Sequence, residues 1–267
     1  MKIVHITSVH PRYDTRIFEK ECISLGKNGL DISLVVADGK GNELKNGVQI
    51  YDIGNRFKKN RFLRIIFCPF LVMLKGLKIK GDIFHFHDPE LLIAGVVLKI
   101  FFRKKVIYDV HEDVPLDILS KFYLPIFIRK FLSISLGALE KICSKKFDGI
   151  ILAVPYFQQR FSQYNSNCLV INNYPVINNE KPNKLNFQQR NAICYVGAIT
   201  KIRGIKEVII ACNLAQVKLI LAGNIQDNTF ENELRIMKEW SNVDYFSYIP
   251  RDRLINIYEK SFAGIIS

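Results

Sequence analysis

The 267-residue sequence contains no Cys-x-x-Cys pair, and its six cysteines, Cys22, Cys68, Cys143, Cys168, Cys194 and Cys212, lie far apart. That scatter argues against a zinc ribbon, a redox pair or a disulfide framework, and reads as reduced, mostly buried thiols. Neither G-x-G-x-x-G nor a Walker A run occurs, which removes support for nicotinamide and P-loop chemistry. No apolar run reaches the roughly 20 residues needed to span a bilayer, since Arg64 and Lys75 bracket the most apolar stretch. The N-terminus, "MKIVHITSV", passes straight into an alternating strand pattern without the form of a cleavable leader. These absences lead us to expect a cytoplasmic protein.

Positive charge is abundant. The formal net charge is +13, and residues 1–150 hold 25 Lys and Arg against 16 Asp and Glu, an excess of nine. No zinc finger, helix-turn-helix or aromatic ribonucleoprotein motif accompanies it, so no nucleic acid partner is expected. Part of the charge flanks apolar runs, "RFKKNRFLRIIFCPFLVMLKGLKIKG" (Arg56 to Gly81) and "KFYLPIFIRKFLSISLGALEKICSKK" (Lys121 to Lys146). Two readings stay open for them: contact with an anionic inner-membrane surface, or core helices with solvated basic faces.

Short β-branched runs alternate with helical patterns through the first part of the chain. "KIVHITSV", "DISLVVAD", "VQIYDI", "GDIFHFHD", "KVIYDVHED" and "FDGIILAV" read as strands. "DTRIFEKECISLGKNG" reads as a helix capped by Asp14 or Thr15 and stopped by Gly29, and "PELLIAGVVLKIFF" as one opened by Pro89. A single long helical stretch is expected up to about Lys146. The pattern predicts an α/β, doubly wound, mainly parallel sheet over 1–169. The Asn-rich "VINNYPVINNEKPNKLNF" breaks the alternation, giving an interdomain linker at 170–188. The alternation then restarts over 189–267 as a second, partial α/β domain. It closes in "SFAGIIS", the apolar start of a buried strand with no covering helix after it, so this domain is expected to be incomplete.

Ligands of open α/β sheets bind beyond the carboxyl ends of the strands. All five histidines precede residue 112, and three of them, His10, His87 and His111, fall at strand ends. His85 and His87 share a strand face, and Asp88, His111, Glu112 and Asp113 could join them around a metal. Against this, "HFHDPE" lacks the Asp-His pair of an HxHxDH hydrolase and "HEDVP" lacks the second His of HExxH, so no metal and no cofactor are expected. In the second domain, "YVGAITKIRGIKE" runs from a strand through a Gly turn and Arg203 to a helix N-terminus, a place suited to a diphosphate.

Six ordered segments, "HPRYDTRIFEKEC", "FHDPELL", "YDVHED", "NNYP", "YVGAITKIRGIKE" and "YIPRDRL", resemble glycosyltransferase family 4, in particular members that build bacterial surface polysaccharides. The resemblance implies the GT-B fold, two Rossmann-like domains, and transfer of a hexose from a nucleotide diphosphate sugar to a glycan or lipid-linked acceptor with retention. It implies a catalytic His111, donor contacts at Gly197, Arg203, Gly204 and Gly223, and an acceptor side at Asp14, Thr15, Arg16, His87, Asp88 and Glu90. A plain helix cap is the competing role for Asp14, and a first-turn carboxylate for Glu90. The sequence departs from the family in having "SVHPRYD" for the Gly-Gly pair after the first strand and Ala198 for an Arg. The family's Glu-x7-Glu segment would fall past Ser267, so a second chain supplying it is a further expected partner. The alternative is a non-catalytic remnant, or the membrane- or acceptor-binding half of a split enzyme.

Overall fold

A computed structural model describes residues 1–55, 57, 60–121, 124–174, 186–225, 227–250 and 253–266. The chain divides into two compact units, Met1–Val176 and Ile177–Ser267. Most of the expected linker, 175–185, lies outside the described residues, as do Pro175, Arg251 and Asp252 of the family-like segments and Arg56, Lys58, Lys59, Phe122 and Tyr123 of the basic apolar runs.

In the first unit β1 (Lys2–Ile6) leads through a π-helical segment (Thr15–Cys22) into α1 (Ile23–Lys27) and β2 (Asp31–Val36). A short hairpin, β3 (Glu43–Lys45) with β4 (Val48–Asp52), precedes α2 (Arg61–Lys78). Then come β5 (Ile83–Phe86), α3 (Leu92–Ile100), β6 (Lys105–Val110), α4 (Val114–Leu119), α5 (Ile126–Ser144), β7 (Gly149–Leu152), α6 (Gln158–Phe161) and β8 (Cys168–Val170). The strands form one eight-stranded sheet in the order β3-β4-β2-β1-β5-β6-β7-β8, parallel except for β3. Burial on both faces explains the nearly unbroken apolar strands. One face packs Ile3, Leu34 and Ile50 against Ile17, Phe18 and Cys22 of the π-helical segment. The other packs Val4, Phe84, Phe86 and Tyr108 against Val72, Met73, Leu92 and Leu98 of α2 and α3.

Four local features differ from the sequence expectation. The first helix is π-helical over most of its length, although Asp14 caps it as expected, accepting from Arg16 N at 2.8 Å and Ile17 N at 3.0 Å. The β3 hairpin and the edge strand β8 carry three residues each, too few for alternation to register, and Val170 belongs to β8 rather than to a linker. The helical stretch after Val114 is two helices, because extended Pro125 heads α5. The run "FENELRIMKEW" in the second unit, helical in its pattern throughout, carries α-helix only as far as Arg235, as extended Met237 breaks it.

The second unit repeats the plan on a smaller scale: β9 (Ala192–Val196), α7 (Ile205–Leu214), β10 (Lys218–Ala222), α8 (Asn228–Arg235), β11 (Val243–Phe246), α9 (Leu254–Lys260) and β12 (Ser261–Ile265). Its four strands are parallel in the order β11-β10-β9-β12. No helix among the described residues is long and apolar enough to cross a membrane.

The first core turns on Phe86, fully buried, stacked on Tyr108 with ring centroids 4.7 Å apart and edge-on to Phe147 at 5.2 Å. Phe86→Ala is expected to lower stability by about 3–5 kcal/mol, checked by urea unfolding, because the cavity would be walled by rings that cannot collapse into it.

Candidate functional site

The carboxyl ends of β1, β5 and β6 bring polar side chains together where the apolar strands run out. Asp109, two residues before His111 and still within β6, is fully buried. Arg16 reaches it from the π-helical segment with a two-bond fork, Nε to Oδ2 at 2.8 Å and Nη2 to Oδ1 at 2.7 Å. His87 Nδ1 at 3.1 Å and His111 Nδ1 at 3.3 Å face the same Oδ2. A carboxylate accepts only, so both imidazoles present Nδ1–H to it and keep a lone pair on Nε2. Burial alone would raise the Asp109 pKa, but Arg16, His111 and His87 hold it well below the usual carboxylate range.

His111 Nε2 looks outward to His10 Nε2 at 3.4 Å. His10 also approaches Asp88 Oδ1 at 3.2 Å and Asp14 Oδ2 at 3.5 Å. Burial works against its protonation, yet the bond to Asp14 and the charges of Asp88 and Asp14 raise its pKa above the ordinary 6.5. Asp14, partly desolvated but bonded to His10 and two backbone amides, is depressed to about 2. Asp88 accepts from Thr7 Oγ1 at 2.9 Å, from Ser8 Oγ at 3.1 Å and from the Ser8 amide. Ser8 Oγ also reaches Glu90 Oε2 at 3.3 Å.

His10, Asp88, Glu90 and Glu112 floor a cavity of about 560 Å³, whose apolar walls are Ile65, Ile66 and Phe70 of α2, Val114 and Ile118 of α4, and Leu136 and Leu139 of α5. A hollow of about 470 Å³ on the other side of His10 is lined by Ser8, Asp38, Arg61 and Arg64. Carboxylates at the floor of an apolar throat suit hydroxyl groups, which donate to them, attached to a greasy body.

Of the residues singled out from the sequence, Asp14, His87, Asp88, Glu90 and His111 converge here, with His87 buried one layer below the surface and His111 behind His10. Thr15 is exposed beside them. Arg16, expected on the acceptor side, is buried and its guanidinium is spent on Asp109, Glu21 and the Ile171 carbonyl. The residues not singled out are Asp109, Glu21, Thr7 and Ser8. An Asp within the apolar run "KVIYDV" was the available signal, since a charge in a buried strand needs a partner.

In the second unit Gly197 and Gly223 sit side by side at the ends of β9 and β10. Gly223 has φ 149°, and a Cβ on it would lie 1.8 Å from the Gly197 carbonyl oxygen, so the two backbones approach as only glycine permits. The chain then turns through Lys201–Arg203 into Gly204, left-handed at φ 63°, which opens α7. Arg203 is exposed at that opening. A hollow of about 350 Å³ in this unit, lined by Phe246, Tyr248, Arg253 and Asn256, includes none of the four expected donor residues.

No family model matches the chain, and no curated protein sequence matches it. Solved structures do. Sucrose-phosphate synthase from Thermosynechococcus elongatus superposes with a TM-score of 0.69 at 14% identity, covering 97% of this chain and 73% of that one. Anabaena HepE in complex with UDP-glucose gives 0.64 at 14% identity, covering 98% and 72%. UDP-N-acetylglucosamine 2-epimerase from Rickettsia bellii gives 0.60 at 10% identity, covering 99% and 73%. The chain therefore has the α/β fold of the GT-B glycosyltransferases, as the resemblance implied.

The His10 environment fixes a pH response. A raised pKa means the imidazolium contributes stability in full below pH 6.5, and the contribution is lost as pH rises through the folded value. Proton NMR titration should find His10 titrating above 6.5 and Asp14→Asn moving it down.

Proposed function

We propose that the chain is a glycosyltransferase that moves a hexose from a nucleotide diphosphate sugar to a hydroxyl of a glycan or lipid-linked acceptor, with retention, in surface polysaccharide synthesis. The observation that carries this reading is the Asp109–His111–His10 chain ending at the floor of the 560 Å³ cavity. The fold it sits on is shared with a structure bound to UDP-glucose, which supports the same reading.

In the reaction the bond from the sugar's anomeric carbon to the diphosphate breaks, the acceptor oxygen bonds to that carbon, and the acceptor proton passes to a departing phosphate oxygen. Arg203 and the N-terminus of α7, opened by Gly204, hold the diphosphate, and the narrow Gly197–Gly223 floor lets the nucleotide approach the backbone. His111, oriented by Asp109, accepts a hydrogen bond from a sugar hydroxyl. Asp88 and Glu90 receive the acceptor hydroxyls, and the apolar throat takes the acceptor's greasy part.

The outer faces of α2, α3 and α5 support peripheral attachment on the cytoplasmic side of an anionic membrane. Phe62, Phe101, Phe127, Phe131 and Ile134 are each 70% exposed or more, and exposed Arg61, Lys78, Arg103, Lys130 and Lys141 lie among these helices and their ends. Each cation near such a surface contributes about 1 kcal/mol. Arg61 and Arg64 beside the smaller hollow would meet the phosphates of a lipid-linked acceptor.

The test is to incubate the full chain with radiolabelled UDP-hexoses and lipid-linked glycans in anionic vesicles, and to assign the anomer of any product by NMR. Transfer with retention is expected. His111→Ala should cut turnover about 100-fold or more, and Arg203→Ala should raise the donor KM about tenfold. Failure to bind any nucleotide sugar, or isomerisation of the donor sugar with no transfer, would overturn the reading.

A further inference from the structure

Below the half-buried His10 and His111 lies a second cluster that the transfer reaction does not use. His5 on β1, His85 on β5, His87 just beyond it and Glu21 on the π-helical segment meet on one face of the sheet. The three rings are almost wholly buried. Glu21 Oε2 stands 3.7 Å from His5 Nδ1, 3.8 Å from His87 Nε2 and 3.9 Å from His85 Nδ1, and His5 Nδ1 is 3.0 Å from His87 Nε2. The separations from Glu21 are too long for hydrogen bonds, and among the described residues its buried Oε2 has no hydrogen-bond partner. Zinc holds nitrogen and oxygen ligands at about 2.0–2.2 Å, which puts neighbouring ligands of a tetrahedron about 3.4 Å apart. The four donor atoms, all within 4.8 Å of one another, bracket that edge length.

We propose that His5, Glu21, His85 and His87 form a closed, structural Zn²⁺ site. Three imidazoles and one carboxylate are a donor set suited to zinc, and with four protein ligands no coordination position is left for water, so the ion has no part in the transfer chemistry. The surroundings are already arranged for it. His87 gives Nδ1–H to Asp109, which fixes Nε2 as the lone pair facing the cluster, the carboxylate–histidine–metal relay of many zinc sites. Glu21 Oε1 is held by Arg16 Nε at 3.2 Å, leaving Oε2 for the ion. The ion would pin the π-helical segment to β1 and β5 directly behind Asp109. Because the site is buried, it is filled as the chain folds.

The experiment is metal analysis of the tag-free full chain, expressed in zinc-supplemented medium and also refolded with one equivalent of ZnCl₂. About one zinc per chain is expected, with X-ray absorption reporting three nitrogens and one oxygen at about 2.0–2.1 Å. Glu21→Gln and His85→Gln should each lose the metal and melt at lower temperature, while His10→Gln, in the outer cluster, keeps it. The absorption spectrum of the wild-type protein decides the matter if the variants do not fold. Wild-type chain that takes up no zinc, zinc retained by both cluster variants, or a sulfur or six-oxygen coordination shell would overturn the assignment.

Discussion

The Arg16 guanidinium and the Asp109 carboxylate meet in a buried fork, and the candidate site is built around that pair. An ionised carboxylate inside a β-strand is tolerable only with full compensation, and four donors from three parts of the chain supply it. Each donor is thereby fixed in place. Arg16 ties the π-helical segment to β6 and, through the Ile171 carbonyl, to the backbone beyond β8. His87 and His111 are held in one tautomer and one ring orientation, so their Nε2 atoms point in useful directions: one into the buried cluster, the other toward His10.

Charge is divided by function across the first unit. The chain carries a net +13, yet the strand ends that floor the cavity present Asp88, Glu90 and Glu112. Cations are found instead among the exposed apolar residues of α2, α3 and α5. A uniformly basic surface would attract any polyanion; here the acidic cavity floor is set apart from the basic, apolar exterior of the helices. The second unit contributes a different feature, a glycine-lined strand end and a left-handed Gly204 opening a helix.

Much of the fold was legible in the sequence because strands such as "KIVHI" and "KVIYDV" are apolar on both faces and separated by helical periods. What escaped notice was short or irregular: three-residue β3 and β8 give no period to read, and a π-helical turn has the same apolar residues as an α-helix. At the site, His10, His87, Asp88 and His111 were visible because they punctuate strand ends. Asp109 and Glu21 were less so: the Asp inside "KVIYDV" signals a buried charge that needs a partner but not which residue supplies it, and Arg16 arrives from 93 positions away. The same contact encloses Arg16, which the resemblance places on the acceptor side.

The most direct test of this account is a double-mutant cycle on Arg16→Met and Asp109→Asn, measured by denaturant unfolding. If the fork is the central constraint, each single variant loses about 3–5 kcal/mol by stranding the other charge. The double variant should then lose less than the two singles together by at least about 1 kcal/mol. Additivity within about 0.5 kcal/mol would mean that the two side chains act independently, and that the site is organised by something other than their contact.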